Sequence, residues 1–255
     1  MSSSTENDLW LRRYHPAKDA GVRLVCFPHA GGAATYYHSL SAALCPAVDV
    51  VAVQYPGRQD RRGEPLIDDV TVLADKLLSA VSTDWTDSPL AFFGHSMGAS
   101  IAFEVARRLE SRGVRLAVLF VSGRPAPSMP RRGDQVHLSD DAAVLAEMKR
   151  LSGTESELLE DDDFVRMVLP VVRNDYKAIE TYRYTPGTNV SCPVLAMIGD
   201  DDPKVNQAEA EAWRSHTTGQ FDLRVYRGGH FYLNDHREAV NRLLMDRLAA
   251  VAAPS

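Results

Sequence analysis

Cysteine is scarce in this chain: Cys26, Cys45 and Cys192 are the only three in 255 residues, odd in number and far apart. That argues against a disulfide framework and a metal knuckle, both of which need thiols at regular short spacing. Cys26, inside Leu24-Val25-Cys26-Phe27, reads as a buried thiol. An excess of positive charge is also missing. Lys and Arg number 28 against 34 Asp and Glu, a formal net charge of −6, so nucleic acid, which needs clustered cations, is not the expected partner. No apolar run approaches the roughly 18 residues of a membrane span, and the N-terminus has no basic segment leading into an apolar core. The expectation is a cytoplasmic chain with no membrane association. Internal repeats, linkers and low-complexity tracts are lacking too, apart from a polar, serine-rich start over residues 1–8 that should be frayed. What remains is an ordinary globular composition, 45% hydrophobic and 24% charged, in a chain long enough for a sizeable core.

The strongest positive signal is Gly94-His95-Ser96-Met97-Gly98, which follows the apolar run Leu90-Ala91-Phe92-Phe93 and leads into a helical pattern carried by Ile101, Val105 and Leu109. Strand, Gly-x-Ser-x-Gly, helix is the context of a nucleophile elbow, a strained turn that lifts a serine hydroxyl out of a sheet. The glycines leave room where a Cβ would clash, and the small residues Ala99, Ser100 and Ala102 let the helix start close to the strand. A second informative stretch is Pro28-His29-Ala30-Gly31-Gly32, after an apolar strand over 23–27. Acyl transfer by serine needs two backbone N–H donors aimed at the developing oxyanion, one following the nucleophile and one from an early strand-to-helix loop. Met97 and Ala30 are the candidates, and His29 reads as a structural loop residue.

Elsewhere, helices over 35–44 and 68–81 alternate with strands over 48–53, 90–93 and 116–122, a pattern that predicts a parallel, right-handed α/β sheet. The alternation breaks over about 124–186, where two helical patterns replace any strand. Ala142, Leu145, Met148 and Leu151 mark the first, with Ser139 as its capping candidate. Phe164, Val168, Val171, Val172 and Ile179 mark the second, which Pro170 should kink or divide. The run 160–163 reads as a helix entrance. An insertion there is placed to cover the carboxyl ends of the strands as a lid. Strands over 194–198 and 221–226, a helix over 207–215 and a last amphipathic helix complete one expected domain, 1–255, of the α/β-hydrolase type: a mostly parallel sheet with helices on both faces and a helical lid insertion.

A serine hydroxyl must pass its proton to a base that a third group orients. His230, in Gly228-Gly229-His230-Phe231 after a late strand, is the candidate base. For the acid, Asp202 lies farthest past the strand end in Asp200-Asp201-Asp202 and is favoured over its two neighbours. This chemistry calls for no metal and no organic cofactor. The basic cluster Arg58, Arg61 and Arg62 reads as a solvated loop or as a contact for phosphate or an acidic partner.

Phe27-Pro28-His29-Ala30-Gly31-Gly32, Tyr55-Pro56-Gly57-Arg58, the elbow, Gly199-Asp200-Asp201-Asp202-Pro203 and Gly228-Gly229-His230-Phe231 together resemble the type II thioesterases of polyketide and nonribosomal peptide synthesis. The resemblance covers nearly the whole chain. It implies that the aspartate before the proline, Asp202, is the acid. It also implies an editing enzyme that hydrolyses acyl groups from the phosphopantetheine arm of acyl or peptidyl carrier proteins. Arg58, Arg61, Arg62, Arg131 and Arg132 are the candidate contacts for an acidic carrier protein or the arm's phosphate. A monomer is the weaker implication. The competing readings are a small-ester hydrolase or acyltransferase on the same fold, and a binding module without catalysis.

Overall fold

The computed structural model describes residues 9–80, 88–130, 135–151 and 158–252. Seven strands form one sheet in the order β1-β3-β2-β4-β5-β6-β7. They are β1 (Leu11–Arg12), β2 (Arg23–Phe27), β3 (Asp49–Val53), β4 (Leu90–His95), β5 (Val118–Ser122), β6 (Val194–Gly199) and β7 (Phe221–Tyr226). Every neighbouring pair is parallel except β1 with β3. The two-residue β1 falls below the length at which alternation can be read, and nothing in the sequence announced it.

Side chains of successive strand residues point to opposite faces, and both faces are buried. Val25, Phe27, Phe92, Leu119, Val121 and Ala196 pack on one side, under α2 (Val70–Ala80) and α3 (Met97–Ser111). Leu24, Cys26, Ala91, Phe93, Phe120, Leu195 and Met197 pack on the other, under α1 (His38–Leu44) and a C-terminal helix, Arg237–Ala252. Continuous apolar runs such as Leu90 to Phe93 follow from this two-sided covering. At the edge, β7 is only partly buried.

The connection from β5 to β6 carries α4 (Asp141–Leu151) and α5 (Asp162–Thr181). Asp161 caps α5, its Oδ1 accepting from Asp163 N and Phe164 N at 2.8 and 3.0 Å, so the acidic run is a helix entrance. Three local expectations change. Asp140, not Ser139, caps α4, accepting from Ala143 N at 2.8 Å, because Ser139 turns back to the Gln135 carbonyl. The inward face of α4 centres on Val144, Leu145, Met148 and Leu151 and leaves Ala142 exposed. Pro170 does not divide α5, which runs through it with the ring on the exposed side. After β6 come α6 (Gln207–Glu211), α7 (Tyr232–Asp235) and the C-terminal helix, α8. Among the described residues, no helix is long and apolar enough to cross a membrane.

Candidate active site

The elbow is built by close approach. Ser96 sits between β4 and α3 with φ +54° and ψ −118°, a conformation that costs a non-glycine residue about 1–3 kcal/mol and persists only where its surroundings enforce it. Here a Cβ on Gly94 would run into the Gly98 backbone, and one on Gly98 into the Phe27 and Pro28 carbonyls. Ser96 N–H donates to Ser122 O at 2.8 Å, tying the turn to the end of β5.

Two loops at the same sheet edge bring the partners in. Ser96 Oγ lies 2.9 Å from His230 Nε2. On the other side of the ring, His230 Nδ1 lies 2.9 and 3.0 Å from the two carboxylate oxygens of Asp202. Asp202 Oδ1 also accepts from Lys204 N at 2.8 Å. Asp200 is engaged elsewhere, accepting from Gly228 N at 2.8 Å, and Asp201 is exposed. His230 and Asp202 are both buried. Ser96, His230 and Asp202 therefore stand in one hydrogen-bonded line, with the carboxylate placed to stabilise a positive imidazole.

Met97 opens α3, so its N–H is one of the four a helix start leaves without an intrahelical acceptor. Ala30 lines the cleft beside Ser96. The neighbouring amides are occupied, Gly31 N by Asp175 Oδ2 at 2.8 Å and Gly32 N by His29 O at 2.9 Å. The cleft itself is walled by Met148 and Leu151 of α4 and by Phe164, Val168, Val172 and Tyr176 of α5, opposite His29, Ser96, His230 and Phe231. Its volume is about 110 Å³. The site thus pairs a polar floor with an apolar wall, the arrangement of a small-molecule pocket.

Residues 22–248 match the thioesterase domain family. The chain belongs to the thioesterase family. Thioesterase PikA5 of Streptomyces venezuelae is 52% identical over 247 residues, covering 96% of this chain and 87% of that protein. The type II thioesterase BorB from the borrelidin biosynthetic cluster superposes with a TM-score of 0.89 at 51% identity, over 94% of this chain and 98% of the other. RedJ, a thioesterase of the prodiginine pathway in Streptomyces coelicolor, gives 0.85 at 37% identity, over 92% and 88%. The thioesterase is accordingly an α/β-hydrolase in fold and a thioester hydrolase in activity.

Two further imidazoles crowd the thioesterase's candidate base. The His95 ring lies 5.0 Å from that of His230 and His29 lies 5.9 Å from His95. Burial, with the neighbouring His230 and His29, pushes His95 well below the usual histidine range. Burial, with His230 and Arg58 nearby, takes His29 down to about 3. Both rings are therefore neutral at ordinary pH.

The arginine expectation needs correction at Arg58 and Arg61. Arg58 is buried and forms an ion pair with Asp175 of α5. Arg61 is buried as well, paired with Glu64 at 2.5 Å and lying 4.2 Å over the Trp10 ring. Neither guanidinium can face a partner, because each spends its donors inside the fold. Arg62 is exposed, while Arg131 and Arg132 lie outside the described residues. Sequence reasoning passed over Asp175, 117 positions from Arg58. A lone aspartate on a helix carries no local signal; only its place on the inward face, three residues after Val172, set it apart.

Proposed function

We propose that the protein is a discrete editing thioesterase of a polyketide or nonribosomal peptide assembly line, hydrolysing acyl groups from the phosphopantetheine arm of acyl or peptidyl carrier proteins. The observation that carries the catalytic part is the Ser96–His230–Asp202 line at the mouth of an apolar cleft; the pathway and partner rest on the kinship with PikA5, BorB and RedJ. In this reading Ser96 Oγ attacks the thioester carbonyl while its proton passes to His230 Nε2. Asp202 stabilises the imidazolium and the Ala30 and Met97 amides receive the oxyanion. The C–S bond then breaks and His230 returns the proton to the leaving thiolate. Water, deprotonated by His230, attacks the acyl-Ser96 ester; collapse releases the acid and restores Ser96. The α4 and α5 segment serves as the lid over the acyl chain, all within one domain. A cytoplasmic monomer with no membrane partner fits this role.

Intact-mass spectrometry of an acyl-loaded carrier protein tests it, with Ser96→Ala and the same acyl group on free pantetheine in parallel. The expected result is loss of the acyl mass with wild type only, faster from the carrier than from the free thiol. Retention of the acyl group alongside cleavage of simple oxygen esters would keep the triad and remove the assembly-line role.

A further inference from the structure

The loop that supplies the Ala30 amide is held from outside its own sequence. Tyr55 Oη donates to Pro28 O at 3.3 Å, and Arg58 Nε donates to Gly32 O at 3.3 Å. Arg58 Nη1 donates to Pro56 O at 2.8 Å, and the guanidinium lies 5.2 Å over the Tyr55 ring. Its remaining nitrogen, Nη2, pairs with Asp175 Oδ2, the same oxygen that accepts from Gly31 N–H at 2.8 Å. Gly31 has φ +77°, and a Cβ there would meet Val172 Cγ2 at 2.6 Å. One face of α5, Val172 and Asp175, thus presses on the residue next to Ala30. The same helix lines the acyl cleft through Phe164, Val168, Val172 and Tyr176.

We infer that Asp175 is a positioning residue for catalysis: from the helix that walls the acyl cleft it fixes Gly31, and through Gly31 the oxyanion-binding amide of Ala30, with Arg58 as the counter-charge that makes this tolerable. The second role follows from electrostatics. A bare carboxylate beside the oxyanion loop would oppose the negative charge that develops on the substrate, and the buried guanidinium cancels it. The purpose of the Tyr55-Pro56-Gly57-Arg58 turn is then internal: it delivers two of the groups that hold the loop. The inference rests on the triad reading above.

Two paired variants isolate the acceptor without leaving a buried charge alone. Arg58→Met with Asp175→Asn keeps an oxygen for Gly31 N–H; Arg58→Met with Asp175→Ala removes it. Steady-state hydrolysis of an acyl-pantetheine thioester and competitive inhibition by an alkyl boronic acid, which adds to a serine as a tetrahedral anion, are measured for both, with Ser96→Ala as control. The Asn pair, which lacks Arg58 just as the Ala pair does, is the reference for the acceptor's own effect. The Ala pair should lose a further 10- to 100-fold in kcat, since a displaced catalytic group costs about that. Its KM should stay within about threefold and its boronate affinity should fall in parallel with kcat. Equal kcat in the two pairs, or a kcat loss with unchanged boronate affinity, would overturn the inference. Turnover by Ser96→Ala would overturn the triad reading instead, whatever the pairs do.

Discussion

Mild acid should destabilise this protein, and the cause lies in the two neutral histidines beside the active site. His95 is fully buried, its Nδ1 2.9 Å from Ser122 Oγ and its Nε2 enclosed with no hydrogen-bond partner among the described residues. A proton added to the folded ring would be a buried charge with nothing to receive it. The unfolded chain has no such restriction and takes up the proton near pH 6.5. The folded pKa is depressed, so the unfolded state binds more protons below pH 6.5 and stability falls as pH falls through that value. For His29 the loss continues down to about pH 3. Between pH 7.5 and 5.5 the linkage relation gives on the order of 1 kcal/mol for a histidine that stays neutral in the fold, as His95 does. His29 is only partly buried, and screening makes its share smaller. The sum is on the order of 1–2 kcal/mol. Urea unfolding at pH 7.5, 6.5 and 5.5, for wild type and for His95→Gln with His29→Gln, reads the difference directly, because every other titrating group is common to both. Wild type should lose on the order of 1–2 kcal/mol more than the double variant over the two pH units. Parallel losses in the two proteins would refute the argument, since they would place the acid sensitivity elsewhere.

Further expectations concern the site and its rim. Asp202→Asn should preserve the fold and cut kcat by about 10³- to 10⁴-fold, because an amide can hold the ring but cannot balance its charge; thioester hydrolysis with a circular dichroism control checks it. Gly98→Ala should destabilise by about 3 kcal/mol through the Phe27 and Pro28 carbonyls, read as a lowered urea midpoint. Arg62→Glu should raise KM several-fold for a carrier-bound substrate and leave it unchanged for free acyl-pantetheine, the pattern of a rim charge that guides an acidic partner. The same KM for both substrates in wild type and variant would remove Arg62 from the partner surface.

Much of the site could be read from the sequence because an elbow is a local device. Gly94, Ser96 and Gly98 are fixed by contacts within five residues and with the ends of the two strands flanking β4, and their spacing carries the local part of the requirement. His230 was found by its glycine-flanked place after a late strand, and Asp202 by its reach past β6, with Asp200 and Asp201 excluded only by where their side chains go in three dimensions. Helix existence was legible from periodicity, whereas caps were not: Asp140 and Ser139 are adjacent and chemically alike, and the turn geometry decides between them. Arg58 and Arg61 failed for the opposite reason. A guanidinium in a polar loop looks solvent-facing in sequence, and burial becomes visible only when distant groups arrive, the Asp175 carboxylate of α5, more than a hundred residues away, on Arg58 and the Trp10 ring on Arg61. Long-range pairing of this kind leaves no mark in composition or spacing.

The crowding of three imidazoles at one sheet edge raises the question of which can act as a base, and the geometry answers it through partners. His29 packs edge to face on Tyr36 and Phe231, with ring centroids 4.7 and 4.8 Å away, and no carboxylate is hydrogen-bonded to it among the described residues. His95 sits in a neutral chain, its Nδ1 against Ser122 Oγ and that hydroxyl 2.7 Å from Tyr232 Oη. Only His230 has a carboxylate on one nitrogen and a hydroxyl on the other. Because the neighbouring rings stay neutral, the imidazolium formed when Ser96 gives up its proton meets no competing positive charge within the cluster. Burying His29 and His95 in neutral form thus costs acid stability and, in the proposed reaction, leaves His230 as the ring of the three that is partnered to receive the proton of Ser96.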